Sequence, residues 1–180
     1  MSSSANRTQK RAARRNLQRF KLRRKKLIEV LTENHIISTK SPLAETGKRS
    51  THDTLFLRYK ATKEKIHLDE FARVLLTINK KRGYKSNRIL KNKEEGILID
   101  GMTIAKELYD KNITVGQYVF SLLREHKNYI PDFYRSDLQR EFDVIWEFQK
   151  KFYPSILDER LYIELIGSPK KQTWAICETS

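Results

Sequence analysis

The chain has a single cysteine, Cys177, among its 180 residues. One thiol excludes an intrachain disulfide framework and a cysteine-based zinc site, and such a composition is typical of a reducing, intracellular compartment. No stretch approaches the roughly 20 apolar residues that a membrane-spanning helix needs. The basic N-terminus is not followed by the apolar core of a secretory signal. We therefore expect an intracellular protein without a membrane partner.

Patterns that carry catalysis or bind metals are also scarce. The six glycines are scattered singly, so the sequence has no glycine-rich phosphate loop. None of the four histidines pairs with a second His or Cys at metal-ligand spacing. The carboxylate pairs Glu94-Glu95 and Asp158-Glu159 are typical of solvated charges, whereas Mg²⁺-dependent phosphodiester cleavage needs several convergent carboxylates. The sequence argues against catalysis by this chain alone and predicts no cofactor or metal within it.

Acidic residues are missing from the start of the chain, where eleven lysines and arginines precede the first acid, Glu29. Residues 1–35 carry 11 basic and 2 acidic side chains, residues 36–111 carry 17 and 10, and residues 112–180 carry 9 and 10. This gradient indicates that the first two-thirds of the chain bind a polyanion, which points to nucleic acid. A solubilising or targeting tail is the alternative for a lone basic run.

The basic run also lacks proline and glycine, and its pattern predicts a helix over about Arg7–Leu31. Its apolar residues recur at steps of three, four and seven, so they form one narrow stripe: Ala13, Leu17, Phe20, Leu27, Ile28 and Leu31. The stripe is expected to dock on the rest of the protein, with the C-terminal half of the helix packed. A basic amphipathic helix can also lie on a membrane, but the narrow stripe without Trp argues against that.

Arginines on this helix recur every three or four residues. The planar guanidinium grips two phosphate oxygens at once, so a row of them is suited to a nucleic-acid backbone. Few side chains that read bases accompany them, so recognition of backbone and shape is expected. The candidate RNA-binding residues on this helix are Arg7, Arg11, Arg14, Arg15, Arg19, Arg23 and Arg24.

The rest of the chain is predicted to be all-α, an irregular bundle of about five or six helices behind the long Arg-rich helix. The expected division is residues 1–35 for the Arg-rich helix, 36–66 for a linker and short helix, and 67–180 for the bundle. Thr32–Ser50 is predicted to be a loop and Asp100-Gly101 a turn. Apolar periodicity predicts helices at Thr51–Lys60, His67–Arg82, Thr103–Lys111 and Asp158–Ile166. Two further helices are predicted to follow capping boxes at Thr114–Gln117 and Ser136–Gln139. In the helix Thr51–Lys60, the residues Leu55, Phe56 and Tyr59 are expected to face inward.

A second basic cluster follows the predicted helix His67–Arg82. Gly83 is expected to end that helix and to let the backbone approach a ligand closely. Tyr84 and Ser86 can stack or donate a hydrogen bond, although a hydrophobic contact at the helix end is an equal alternative for Tyr84. The candidate residues of this cluster are Lys80, Lys81, Arg82, Gly83, Tyr84, Lys85, Ser86 and Arg88.

Taken in order, four motifs resemble the CRISPR-associated protein nine family, the RNA-guided DNA endonucleases, and its type II-C members in particular. The Arg-rich helix resembles the family's bridge helix. Ala72–Arg88, with Arg82-Gly83-Tyr84-Lys85-Ser86-Asn87-Arg88, resembles the start of its recognition lobe. Thr114–Tyr118 and Tyr134–Gln139 also resemble that lobe, and the last of these adds Arg135 to the candidate RNA-binding residues. The resemblance covers roughly residues 5–165.

The resemblance implies a helical fold that binds RNA. Arg7–Arg24 would face the seed phosphates of the guide, and Lys80–Arg88 would grip the repeat:anti-repeat duplex. The implied partners are crRNA, tracrRNA and target DNA paired with the guide, in the bacterial cytoplasm. The family's nuclease regions and PAM-reading domain have no counterpart here, so we expect a fragment that cuts nothing, with Mg²⁺ belonging to the parent nuclease. The rival hypothesis is a generic basic RNA- or DNA-binding protein with an Arg-rich arm.

Overall fold

A computed structural model describes residues 3–38, 47–80, 95–127, 130–131 and 133–166. Regular structure over these residues is helical, which confirms the predicted all-α class. The helices are α1 (Ser3–Glu33), α2 (Gly47–Lys60), α3 (Leu68–Lys80), α4 (Glu95–Asp110), α5 (Val115–Arg124), α6 (Arg135–Lys150) and α7 (Glu159–Ile166).

The central helix is α3, which packs against α1, α2 and α6. Its sequence explains this position, because apolar residues occupy most of its circumference while Asp69 and Glu70 favour the positive N-terminal end of the helix dipole. The amide N–H of His67 donates to the Glu70 carboxylate at 2.9 Å, which stabilises the first turn. The residues of α3 that are buried are Phe71, Ala72, Val74, Leu75, Leu76, Ile78 and Asn79.

An aromatic cluster joins α3, α6 and α7. The ring of Trp146 lies 6.2 Å from Phe71, 5.6 Å from Phe142 and 5.5 Å from Tyr162, measured between centroids. Because Phe142 and Trp146 are one helical turn apart, both project from the same face of α6. The Tyr162 hydroxyl donates to Asp143 Oδ1 at 2.9 Å at the edge of this cluster.

The turn between α2 and α3 is held by one buried amide. Gln149 of α6 donates from Nε2 to the carbonyls of Ala61 and Glu64, each at 2.7 Å. Its Oε1 accepts from the amide of Ile66 at 3.2 Å. A buried amide is stabilising when its donors and acceptor are matched, so Gln149 can lie in the interior although it is polar.

Three helices end in the same left-handed turn. His35, Asn112 and His126 follow α1, α4 and α5 with φ of 56°, 50° and 57°. The next amide bonds back to the carbonyl five residues earlier, as in the Schellman motif; these bonds are Ile36 to Leu31 at 2.9 Å, Ile113 to Leu108 at 3.0 Å and Lys127 to Leu122 at 3.0 Å. This geometry reverses the chain and returns an apolar residue to the core after α1 and α4.

The predicted start of α2 was wrong. The helix begins at Gly47, so the predicted loop Thr32–Ser50 is too long at its C-terminal end. The predicted inward face was also partly wrong, because Phe56 is 43% exposed while Leu57 and Arg58 are 7% and 3% exposed. The helix is oriented with Arg58 facing the interior, because Arg58 forms a buried ion pair there. Hydrophobic periodicity could not predict this face, because one of its buried residues is charged.

Two other helix starts were also predicted wrongly. Helix α4 begins at Glu95 and continues through Gly101, where a turn was expected; one interior glycine costs a helix only about 1 kcal/mol. Helix α6 begins at Arg135, because the Tyr134 amide donates to Asp137 Oδ2 at 3.0 Å. That bond replaces the predicted capping box at Ser136.

The predicted starts of α5 and α7 agree with the structure. In the capping box before α5, the Gln117 amide donates to Thr114 Oγ1 at 3.3 Å, and the Thr114 amide donates to Gln117 Oε1 at 2.8 Å. Asp158 opens α7 by accepting the amide of Leu161 at 2.8 Å. These starts were readable because a short polar side chain precedes an apolar run in each case.

Candidate nucleic-acid interface

Helix α1 has an exposed half and an anchored half. It contains 31 residues, which at 1.5 Å per residue is about 46 Å. Every residue from Asn6 to Arg19 is exposed. Burial begins further along, with Leu27, Val30 and Leu31 at 0% exposure. The prediction that the C-terminal half is packed is therefore confirmed.

The apolar stripe of α1 does not dock along its whole length as predicted. Ala13 is exposed and Leu17 is 54% exposed, while Leu27 and Leu31 are buried. The helix packs on α3 and α7, and these short helices offer a surface only to its last turns. The remaining stripe extends beyond that surface.

Polar contacts supplement the apolar anchor. Lys26 Nζ lies 3.8 Å from a carboxylate oxygen of Glu164 on α7. Arg160 Nη2 donates to Asn34 Oδ1 at 3.3 Å just beyond the end of α1. These exposed contacts each contribute little free energy, but they lie on the side of α1 that faces α7 and help to set its direction.

The exposed half of α1 carries positive charge alone. Its first acid, Glu29, lies toward the anchored end, 3.7 Å from Lys25. Arg7, Arg11, Arg14, Arg15 and Arg19 are exposed, and Arg23 and Arg24 are half-buried. Arg11, Arg14, Arg15 and Gln18 line an open groove of about 440 Å³. Successive turns of 5.4 Å thus present guanidinium groups along one continuous surface.

The second predicted cluster lies mostly outside the described residues. Lys80 is the last residue of α3 and is exposed. The other candidate residues of this cluster lie outside the described residues: Lys81, Arg82, Gly83, Tyr84, Lys85, Ser86 and Arg88.

Arg135 is placed on a different element from both basic clusters. It is half-buried in the first turn of α6. Burial raises the pKa of its neighbour Asp137, against the opposing effect of the Tyr134 amide bond.

Neither protein-family models nor curated proteins match the chain, but solved structures do. A structure of St1Cas9 with sgRNA, target DNA and AcrIIA6 matches 91% of this chain with a TM-score of 0.71 and 22% identity. Cas9 of Streptococcus thermophilus in complex with the AGGA PAM matches 92% with a TM-score of 0.65 and 19% identity. Cas9 of Campylobacter jejuni with sgRNA and target DNA (AGAAACC PAM) matches 87% with a TM-score of 0.59 and 25% identity.

The chain has the fold of a Cas9 segment. The resemblance predicted from the sequence is thereby confirmed in the fold. The chain spans 21%, 16% and 24% of the lengths of these three Cas9 chains, so it corresponds to a minor part of each. Within the described residues, no group of three or more His, Cys, Asp or Glu side chains could hold a metal ion. No described helix is long and apolar enough to cross a membrane.

Sequence reasoning chose the arginines of α1 and passed over its lysines, Lys10, Lys21, Lys25 and Lys26. Lys10 and Lys21 are exposed on the same helix. They were omitted because an ammonium group lacks the planar fork of arginine. Net charge alone would have identified them, and both add to the field that a polyanion meets.

Proposed function

We propose that this chain is the RNA-binding helical part of an RNA-guided DNA endonuclease. In this proposal α1 binds guide RNA phosphates, including those of the seed, and Lys80–Arg88 grips the repeat:anti-repeat duplex. Arg135 is a further RNA-binding residue. The partners are crRNA, tracrRNA and target DNA paired with the guide. The chain itself cleaves no nucleic acid, and the Mg²⁺ chemistry belongs to other domains of the parent protein.

The observation that carries this proposal is the exposed half of α1. A helix that stands clear of its bundle with arginines at every turn repels itself unless a polyanion neutralises it. The similar structures of Campylobacter jejuni Cas9 contain sgRNA and target DNA, which supports RNA as that polyanion.

The anchored half explains how α1 can bind with little loss of entropy. Leu27, Val30 and Leu31 hold the helix on the bundle before RNA arrives. Binding then orders arginine side chains without having to fold the helix, and preorganisation of this kind raises affinity. The contacts go to phosphates, so α1 binds guides of different sequence with similar strength.

Salt dependence tests the role of α1. Neutralising six to eight phosphates predicts a slope of log affinity against log salt of roughly −4 to −7. Replacing Arg11, Arg14 and Arg15 by Gln together is expected to make the slope shallower by about 2 to 3. The matched control replaces three exposed cations on other elements, Lys106→Gln, Lys111→Gln and Arg124→Gln, and is expected to leave most of the slope in place.

Two results would contradict this role of α1. A wild-type slope of log affinity against log salt near −1 would show that α1 is not part of the RNA interface. An equal loss of slope in the control variant would show that net charge matters and position does not.

A competition experiment separates guide binding from generic binding. Labelled crRNA–tracrRNA is displaced with unlabelled guide, random RNA and duplex DNA of equal length. The proposal expects the guide to compete best, because the helical surface would fit its folded shape. Equal competition by all three would support the generic basic nucleic-acid-binding protein. Incubation with labelled target DNA and Mg²⁺ is expected to yield no cleavage product.

A further inference from the structure

A second surface combines lysines with aromatic rings where α6 ends beside the turn between α2 and α3. Lys65 Nζ lies 5.0 Å from the ring centre of Tyr153 and 6.0 Å from that of Phe152. Lys151 Nζ lies 5.4 Å from the ring centre of Phe148. The rings of Phe148 and Phe152 are 5.6 Å apart at an angle of 57°. We name these five residues the lysine–aromatic platform.

The platform is held rigidly. The Tyr153 hydroxyl donates to the carbonyl of Ile66 at 2.8 Å, directly beside Lys65. Gln149 binds the same turn through the three hydrogen bonds described above. Both segments that supply the rings and lysines are therefore tied together by buried or half-buried hydrogen bonds, so the platform exists before any ligand arrives.

The platform is not part of the buried core. Phe152 is 41% exposed, and Lys65 and Lys151 are exposed. Packing in the core does not explain an exposed phenylalanine whose ring lies beside the Lys65 ammonium group and the Phe148 ring. An exposed lysine–ring contact stabilises the protein by only about 0.5–1 kcal/mol, so this contact alone does not account for an exposed ring at this position.

We propose that the lysine–aromatic platform binds an unpaired nucleotide of RNA, separately from α1. The base stacks on the open part of Phe152, and Lys65 and Lys151 contact its flanking phosphates. Aromatic rings beside cations are the usual means of holding single strands, because every base has a face that can stack. A base within a duplex has no free face, so the platform discriminates in favour of unpaired nucleotides. The inference rests on the proposed function only in taking RNA as the ligand.

The experiment compares Phe152→Leu with Phe56→Leu. Phe56 is 43% exposed and contacts the rings of Tyr59 and Phe120, so it is an equally exposed phenylalanine outside the platform. Binding is measured by fluorescence anisotropy with a short oligouridine and with an RNA duplex of the same length. Phe152→Leu is expected to weaken oligouridine binding about 5- to 100-fold, the equivalent of one stacked base, while duplex binding and the salt slope change little. Phe56→Leu is expected to bind both RNAs as the wild type does.

A second variant removes the cations and keeps the rings. Lys65→Gln with Lys151→Gln is expected to make the oligouridine salt slope shallower by about 1 to 2. Because both lysines are exposed, this variant remains informative if Phe152→Leu reduces folding in a thermal melt.

The outcomes separate this proposal from the proposed function. Wild-type protein that binds neither RNA overturns the proposed function. If the wild type binds RNA with a steep salt dependence but Phe152→Leu binds oligouridine as tightly as the wild type, only the platform proposal is overturned. Equal losses for oligouridine and duplex also overturn it, as does an equal loss in Phe56→Leu. If Phe152→Leu also weakens the binding of an acidic peptide to the same extent, the platform is a protein-docking surface and its assignment to RNA is overturned.

Discussion

Arg58 of α2 and Glu141 of α6 form a bidentate ion pair inside the bundle. Arg58 Nε donates to Glu141 Oε1 at 2.8 Å, and Nη2 donates to Oε2 at 2.5 Å. Their side chains are 4% and 0% exposed. The two residues are 83 positions apart in the chain. The pair joins α2 to α6, so it fixes the orientation of α2 and explains why Phe56 points outward.

Removing one partner of this pair is expected to destabilise the protein strongly. Arg58→Met leaves the Glu141 carboxylate buried without its counter-ion, which costs about 3–5 kcal/mol of unfolding free energy. Arg58→Met with Glu141→Met removes both charges, so much of the loss should be recovered. Urea denaturation gives these values. A control, Lys25→Ala at the exposed pair with Glu29, should cost less than about 1 kcal/mol, and a single Arg58→Met variant as stable as this control would refute the role of the pair.

Gly116 of α5 is expected to be essential for the approach of α5 to the ion pair. A Cβ at this position would lie 2.5 Å from Glu141 Oε1 and 2.7 Å from Arg58 Cβ. Helix propensity favours Ala over Gly by about 1 kcal/mol, but the clash with a locked pair outweighs it. We expect Gly116→Ala to reduce the unfolding free energy by about 1–3 kcal/mol. Ser121→Ala, exposed on the same helix, should change it by less than about 0.5 kcal/mol, and stabilisation by Gly116→Ala would contradict the packing described here.

Two leucines of α1 are expected to differ sharply in their contribution to stability. Leu27 is fully buried and Leu17 is 54% exposed. Leu27→Ala should cost about 2–5 kcal/mol, because it removes buried methyl groups and leaves a cavity. Leu17→Ala should cost less than about 0.5 kcal/mol. Thermal or urea unfolding measures both, and equal costs would mean that the first half of α1 packs on the bundle after all.

Tyr162 is expected to make stability fall at alkaline pH. Burial, followed by the hydrogen bond to Asp143, raises the pKa of the Tyr162 hydroxyl well above its ordinary value. The folded protein then keeps a proton that the unfolded chain releases above about pH 10, so this stabilisation is complete below pH 10 and decreases by up to about 1.4 kcal/mol per pH unit above it.

The measurement for Tyr162 is urea unfolding between pH 9 and 11, compared with Tyr162→Phe. At neutral pH the variant should be less stable than the wild type by about 1 kcal/mol of unfolding free energy, because it lacks the hydrogen bond to Asp143. Its unfolding free energy should decline less steeply above about pH 10. Tyr109→Phe, at an exposed tyrosine of α4, is the control for phenol ionisation. Identical declines in all three proteins would show that Tyr162 ionises normally.

Much of the secondary structure was predictable from local chemistry. Helix α3 and the starts of α5 and α7 were readable because apolar periodicity and a capping side chain agree within a few residues. The start of α6 was not, because the Tyr134 amide bonds to Asp137 and the apparent box at Ser136 goes unused. Arg58 was missed since its burial depends on Glu141, which is far away in the chain.

The sequence by itself determined that this protein is all-α, strongly basic at its N-terminal end and similar to the Cas9 family, because helical periodicity, charge and short motifs are local properties of the chain. The tertiary structure decided which part of each helix is used. It buries Leu27 and leaves Leu17 in water, because α3 and α7 reach only the last turns of α1. It also brings Lys65 beside Phe152, because Gln149 and Tyr153 tie a turn to the end of α6, and no local pattern reports such a contact.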